Sequence, residues 1–98
     1  MTPEIAARLQ SLDIQWHTQA RGYYLFVRDN CAAFAHERDG VVALGSSGIM
    51  TEPGLAYLMW REGRPYLAAH GASEAPARDE QVAAVRRFSE DLKAALNP

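Results

Sequence analysis

The chain has 98 residues, of which 48% are hydrophobic and 22% are charged, and this balance is typical of a globular protein. The length suits a single domain over residues 1–98 and excludes a second core of ordinary size. Ten basic and twelve acidic residues give a net charge of −2, which argues against a dedicated nucleic-acid-binding protein because such proteins carry a basic excess. The longest apolar run covers residues 55–60, too short for a membrane span or an export signal.

The cysteine content indicates the cellular compartment, and the arginine and alanine content indicates the type of source genome. Cys31 is the only cysteine, so no internal disulfide can form, and a reducing compartment is expected. We therefore expect a cytoplasmic protein. Nine of the ten basic residues are arginine and seventeen residues are alanine, a bias that indicates a GC-rich bacterial genome.

A short helix is predicted at the start of the chain. Thr2 is a capping residue, and Pro3 follows at the first helical position, where its missing amide costs nothing. The helix is predicted to end near residue 11 or 12. Its apolar stripe recurs at steps of four and three residues and consists of Ile5, Leu9 and Leu12.

From Asp13 to His70 the apolar residues alternate, and turn residues recur about every ten positions, which is typical of antiparallel hairpins. The clearest turn signals are the dipeptides Asp29-Asn30 and Asp39-Gly40. A meander of five to six strands is therefore predicted. Its strands cover residues 14–19, 23–28, 31–37, 41–44, 55–61 and 64–70.

A long second helix is predicted to open at Pro76 and to run to about Leu96. Its opposite side carries two pairs four residues apart, Arg86 with Glu90 and Arg87 with Asp91. The fold class is therefore α+β, with a short N-terminal helix, an antiparallel meander and a long C-terminal helix packed on the sheet. The helix contributes an apolar stripe of Val82, Val85, Phe88, Leu92 and Leu96.

Two predicted strands are apolar on both faces. In residues 23–28, one face carries Tyr23, Leu25 and Val27, and the other carries Tyr24 and Phe26. An antiparallel sheet with one wet face alternates apolar and polar residues instead. The second face therefore needs cover, from closure of the sheet on itself, from a second copy of the chain, or from a ligand or protein in a concavity.

If a second copy provides that cover, aromatic residues are its expected contacts, because tryptophan and tyrosine are over-represented in interface hot spots. The same residues also suit an ordinary core, since a chain of this size needs its large side chains to build one. The interface candidates are Trp16, Tyr24, Phe26 and Trp60.

Residues 45–54 contain three glycines and one proline, which predicts an irregular loop between two hairpins. Its glycines and hydroxyls suit a small anion-binding nest. The segment lacks the lysine of a P-loop and the strand-turn-helix context of a nucleophile elbow, and a plain connection between hairpins is the alternative. The candidate ligand-binding residues are Ser46, Ser47, Gly48, Arg61 and His70.

No catalytic or metal-binding motif is found. Cys31 and His36 are five residues apart, so they point to opposite faces of one regular strand. His36 and Glu37 resemble the start of a zinc-protease motif, but Gly40 stands where its second histidine is needed. We therefore expect no metal and no cofactor.

The expected function is that of a non-enzymatic cytoplasmic binding or accessory protein that forms a homodimer through an apolar sheet face. Another protein is a further candidate partner, and neither nucleic acid nor membrane is expected. The alternative is a small enzyme, or a metabolite- or anion-binding protein, that uses the loop at residues 45–54.

Overall fold

The computed structural model describes residues 1–52, 54–69 and 74–97. The seven strands of the described chain form one antiparallel sheet in sequential order. This is the predicted α+β fold, with more strands than the five or six expected. The elements are α1 (Pro3–Ser11), β1 (Gln15–Ala20), β2 (Tyr23–Arg28), β3 (Cys31–Arg38), β4 (Val41–Thr51), β5 (Gly54–Arg61), β6 (Arg64–Ala69), β7 (Ala75–Pro76) and α2 (Asp79–Leu96).

Helix α1 begins where the sequence predicts. Thr2 Oγ1 accepts a hydrogen bond from Ile5 N at 3.2 Å, and Pro3 is the first helical residue. Leu9 is fully buried, and Ile5 and Leu12 pack against the core. The predicted apolar stripe is confirmed.

Helix α2 begins at Asp79 rather than at Pro76. Pro76 pairs with Tyr66 in the short strand β7, and Gln81 Oε1 accepts a hydrogen bond from Arg78 N at 2.8 Å. The helix therefore starts where a side chain satisfies a backbone amide, not at the proline. The predicted apolar stripe of α2 is buried as expected: Val82, Val85, Phe88, Leu92 and Leu96.

Among the helices described, none has the length and apolarity to cross a membrane.

Both helices pack on one side of the sheet, called here the helix face. Phe26 of β2 and Phe88 of α2 meet in this core and are 0% and 1% exposed. Phe26 lies opposite Ala33, so the side chains of both residues point to the helix face. The strand residues of the core are Phe26, Cys31, Ala33, Ala35 and Val42.

The opposite side of the sheet is called here the open face. Leu25 lies opposite Phe34, and Val27 opposite Ala32, so the two apolar faces predicted for β2 are confirmed. Because both helices lie on the other side, neither helix covers the open face. Of the six large hydrophobic residues that are exposed in the described part of the chain, five point to it: Tyr23, Phe34, Val41, Met50 and Met59.

The hairpin turns follow the predicted chemistry. Asp29 and Asn30 have φ of 49° and 68°, the left-handed backbone that a two-residue turn between twisted strands requires. Asp39 and Gly40 adopt the same conformation with φ of 53° and 79°. The turn signals read from the sequence are therefore confirmed.

The irregular loop predicted at residues 45–54 is wrong for most of its length, because β4 continues to Thr51. The pairing with β3 shifts opposite Phe34, where β4 holds an extra residue as a β-bulge. At Gly48, a Cβ atom would lie 2.0 Å from the carbonyl oxygen of Ala56. The glycines therefore allow a bulge and a close approach of two strands instead of a loop.

Strands β4 and β5 separate partway along the sheet. β4 pairs with β3 from Val41 to Ile49 but with β5 only from Gly48 to Thr51. Beyond Tyr57, β5 pairs with β6 alone. The gap between residues 41–47 of β4 and residues 58–61 of β5 is called here the split.

Candidate functional site

The serine-glycine segment is built into strand β4. Ser46 is exposed at the bulge, and Ser47 lies opposite Ala33 on the helix face. Gly48 is buried between Ala32 and its partner on β5. An anion nest needs successive amides that converge on one point, whereas the amides of a strand alternate in direction. The segment therefore does not form the predicted nest.

Arg61, another ligand-binding candidate, is not brought together with the serines. Arg61 ends β5 four residues beyond Tyr57, the partner of Gly48, which places it about 13 Å along the strand. Its guanidinium donates a hydrogen bond to the carboxylate of Glu74. His70 lies outside the described residues. The alternative function thus loses the loop on which it depended and the position of Arg61 beside it.

The four interface candidates lie on the helix face. Phe26 is 0% exposed, and Trp16 and Tyr24 are half-buried against the core. Trp60 is 48% exposed, with the Arg86 guanidinium 5.0 Å from its ring centroid. Of the four, Trp60 is the most exposed; a single chain does not test their predicted interface role, and the dimer proposed below uses the other face instead.

The open face presents the broadest apolar surface of the described chain. Ala32 lies on this face between Val27 and Gly48 and is fully buried, so neighbouring side chains close over the centre of the face. Tyr23 and His36 stack at its edge, with ring centroids 4.2 Å apart and an angle of 10°. The signal for this surface was that residues 23–28 and 55–61 are apolar on both faces, although Phe34 and Met50 were not singled out.

The charged strand residues of the open face are all arginines. Arg38 ends β3, and Arg61 and Arg64 lie opposite each other where β5 turns into β6. The carboxylate of β3, Glu37, lies on the helix face instead and pairs with the N-terminal amine at 3.2 Å. The open face therefore has an apolar centre and three arginines at one end, where Asp39, Glu62 and Glu74 also lie.

Cys31 lies in the core and faces away from His36. Burial raises the pKa of the Cys31 thiol, Arg28 partly lowers it, and Asp29 raises it further. A raised pKa keeps the thiol protonated and unreactive at neutral pH. No three histidine, cysteine, aspartate or glutamate side chains of the described residues group closely enough to hold a metal ion.

Arg28 joins three elements beneath the helices. Its Nη1 donates to Leu12 O and its Nη2 to Asp91 Oδ2, each at 2.9 Å. The guanidinium carbon lies 5.8 Å from the Phe88 ring centroid. Asp91 therefore bonds to a strand residue, where the sequence suggested Arg87 as its partner. The sequence signal for this contact was the position of Arg28, which lies two residues after Phe26 and therefore on the same face of β2 as Tyr24 and Phe26.

Comparison with known protein families, with curated proteins and with solved structures finds no match for this chain. The function is therefore argued from the arrangement of its own residues.

Proposed function

We propose that this domain is a non-enzymatic binding or accessory protein that forms a homodimer through the open face of its sheet. The observation that carries the proposal is that five of the six large exposed hydrophobic residues share this one face. Monomeric soluble proteins rarely expose a contiguous apolar patch of such breadth. The cytoplasmic location expected from the single cysteine is part of the same proposal.

The open face is large enough for a stable interface. Six strands about 4.8 Å apart and about 20 Å long cover roughly 600 Å² in projection, and side-chain relief adds to this area. A standard protein interface buries about 800 Å² on each partner. Two copies packed face to face therefore come close to the usual size.

The composition of the face also suits a protein partner. Aromatic residues, methionine and arginine are enriched at interfaces, while lysine and carboxylates are depleted. The strand residues of the open face follow this pattern, with arginines at one end. Its aromatic and methionine side chains are Tyr23, Phe34, Met50, Tyr57, Met59 and Tyr66.

A second copy fits this surface better than a small molecule does. Small-molecule sites are concave and bury most of the ligand. Phe34 and Met59 are 41% and 40% exposed on a face that extends across six strands. A broad exposed apolar face of this kind can be shared by two copies related by a two-fold axis.

The test is the solution mass by light scattering over a hundredfold concentration range. We expect a mass near twice 10.8 kDa for the natural chain, and a monomer for Phe34→Arg. Trp60→Arg is the matched control, because Trp60 is an exposed aromatic residue on the other face, and this variant should stay dimeric. A monomer at every concentration overturns the proposal, as does a dimer broken by Trp60→Arg but not by Phe34→Arg.

A further inference from the structure

The backbone of β4 has free hydrogen-bonding groups at the split. Glu37 N donates to Gly22 O at 2.7 Å, so the backbone groups of Glu37 point toward β2. In an antiparallel ladder, the N–H and C=O of its partner Val42 then point away from β3. The N–H and C=O of Leu44, two residues further along β4, also point away from β3. Within the described residues, neither of them has a strand partner on that side.

The β5 side of the split also presents backbone N–H and C=O groups that point toward the split. Ala77 N donates to Pro65 O at 3.0 Å, so the backbone of Pro65 faces β7. Its partner Trp60 therefore turns its N–H and C=O toward β4. Leu58, two residues earlier, does the same. Two rows of backbone groups thus border the split.

The β4 side chains at the split do not guard against pairing. Free strand edges usually carry charges or prolines that prevent the addition of another strand. The outermost strand β7 follows this rule, since it is two residues long and contains Pro76. Residues 41–47 of β4 contain neither charge nor proline. Three of the large exposed hydrophobic residues lie within the two segments that border the split, residues 41–47 and 58–61: Val41, Met59 and Trp60.

We propose that the split binds one extended, uncharged segment of a partner polypeptide by β-strand addition to β4. Only a polypeptide backbone offers donors and acceptors at the spacing that Val42 and Leu44 present. The occupant is a single strand, because the split lies between β4 and β5 and a whole sheet edge cannot be continued there. Apolar side chains of the segment on the helix face would lie beside Leu44 and Trp60. This surface is separate from the open face and does not depend on dimer formation.

The probe is a peptide of about seven alternating valine and threonine residues with blocked ends. Amide hydrogen exchange of the full chain is followed by NMR with and without it. In the free chain we expect fast exchange at Val42 and Leu44 and slow exchange at Ala43, whose amide faces β3. The peptide should slow exchange at Val42 and Leu44 by about tenfold or more and leave Ala43 unchanged.

Two controls make the result specific. The same peptide with alternate amides N-methylated cannot complete the ladder and should have no effect. Leu44→Pro removes an outward amide without removing a hydrogen bond to β3, so it should abolish peptide binding. The methylated peptide needs no variant, and it decides the question even if Leu44→Pro does not fold.

Equal protection of Val42, Ala43 and Leu44 in the free chain would overturn the inference, because the edge would then be closed. Unchanged exchange at millimolar peptide would overturn it as well. Phe34→Arg should still bind the peptide, whereas Leu44→Pro should leave the solution mass unchanged. Failure of the strand-addition site is therefore distinguishable from failure of the dimer.

Discussion

Arg28 Nη2 of strand β2 donates to Asp91 Oδ2 of helix α2 at 2.9 Å, across a separation of 63 residues. The Arg28 side chain is 16% exposed and that of Asp91 is 35% exposed, so water screens this pair less than a surface pair. The same guanidinium binds Leu12 O at the end of α1. One side chain thus fixes both helices against the sheet.

We expect Asp91→Ala to lower the free energy of unfolding by about 1–3 kcal/mol, because Arg28 loses its charged partner in a partly buried position. Urea denaturation measures this change. Glu90→Ala is the matched control, since Glu90 is exposed on the same helix, and it should stay within about 0.5 kcal/mol of the natural chain. Equal effects of the two substitutions would show that the Arg28 contact contributes nothing.

The Phe88 ring is 1% exposed and lies in the centre of the core. Phe88→Ala should cost about 3–5 kcal/mol, through lost burial and the cavity that remains. This is a large part of the roughly 5–15 kcal/mol that stabilises a domain of this size. Chemical denaturation followed by circular dichroism measures the loss. A change below about 1 kcal/mol would mean that α2 does not pack on the sheet through this ring.

Gly48 is the position where β5 passes closest to β4. In Gly48→Ala, the new methyl group would lie 2.0 Å from Ala56 O, so one of the two strands has to move. We expect a loss of about 1–3 kcal/mol, the usual cost of overpacking. Ser46→Ala in the same strand is exposed and should have no measurable effect. Equal stability of the two variants in urea would show that the strands do not approach in this way.

The Cys31 thiol should react slowly with iodoacetamide in the folded chain, because burial raises its pKa and leaves little thiolate. Unfolding in urea should restore the rate of an ordinary thiol. Since the folded pKa lies above the unfolded one, the folded chain keeps a proton that the unfolded chain loses. Stability should therefore fall as the pH rises above about 8.5. Cys31→Ala should weaken that fall, and an unchanged pH profile would contradict the assignment.

Local features were predictable from the sequence because they depend on neighbouring residues. The start of α1 follows from Thr2 and Pro3, and the turn at Asp29-Asn30 follows from residues that tolerate positive φ. The buried side of α2 follows from helical spacing alone. The two apolar faces of β2 also follow from simple alternation.

The structure of the segment around Gly48 could not be predicted from neighbouring residues alone. Glycine marks a turn, but it also marks a place where another backbone comes close. Which of the two applies depends on Ala56, a residue on the neighbouring strand. The sequence alone therefore suggested a loop and an anion site where the chain forms a strand.

The sequence by itself determined the two helices, the antiparallel meander and the presence of a surplus apolar face, because periodicity and turn chemistry are properties of short segments. The tertiary structure decided which face the helices cover, where β4 and β5 separate, and that Arg28 rather than Arg87 binds Asp91. These features arise when distant segments pack together. Their geometry depends on the fit of whole elements, which no local pattern encodes.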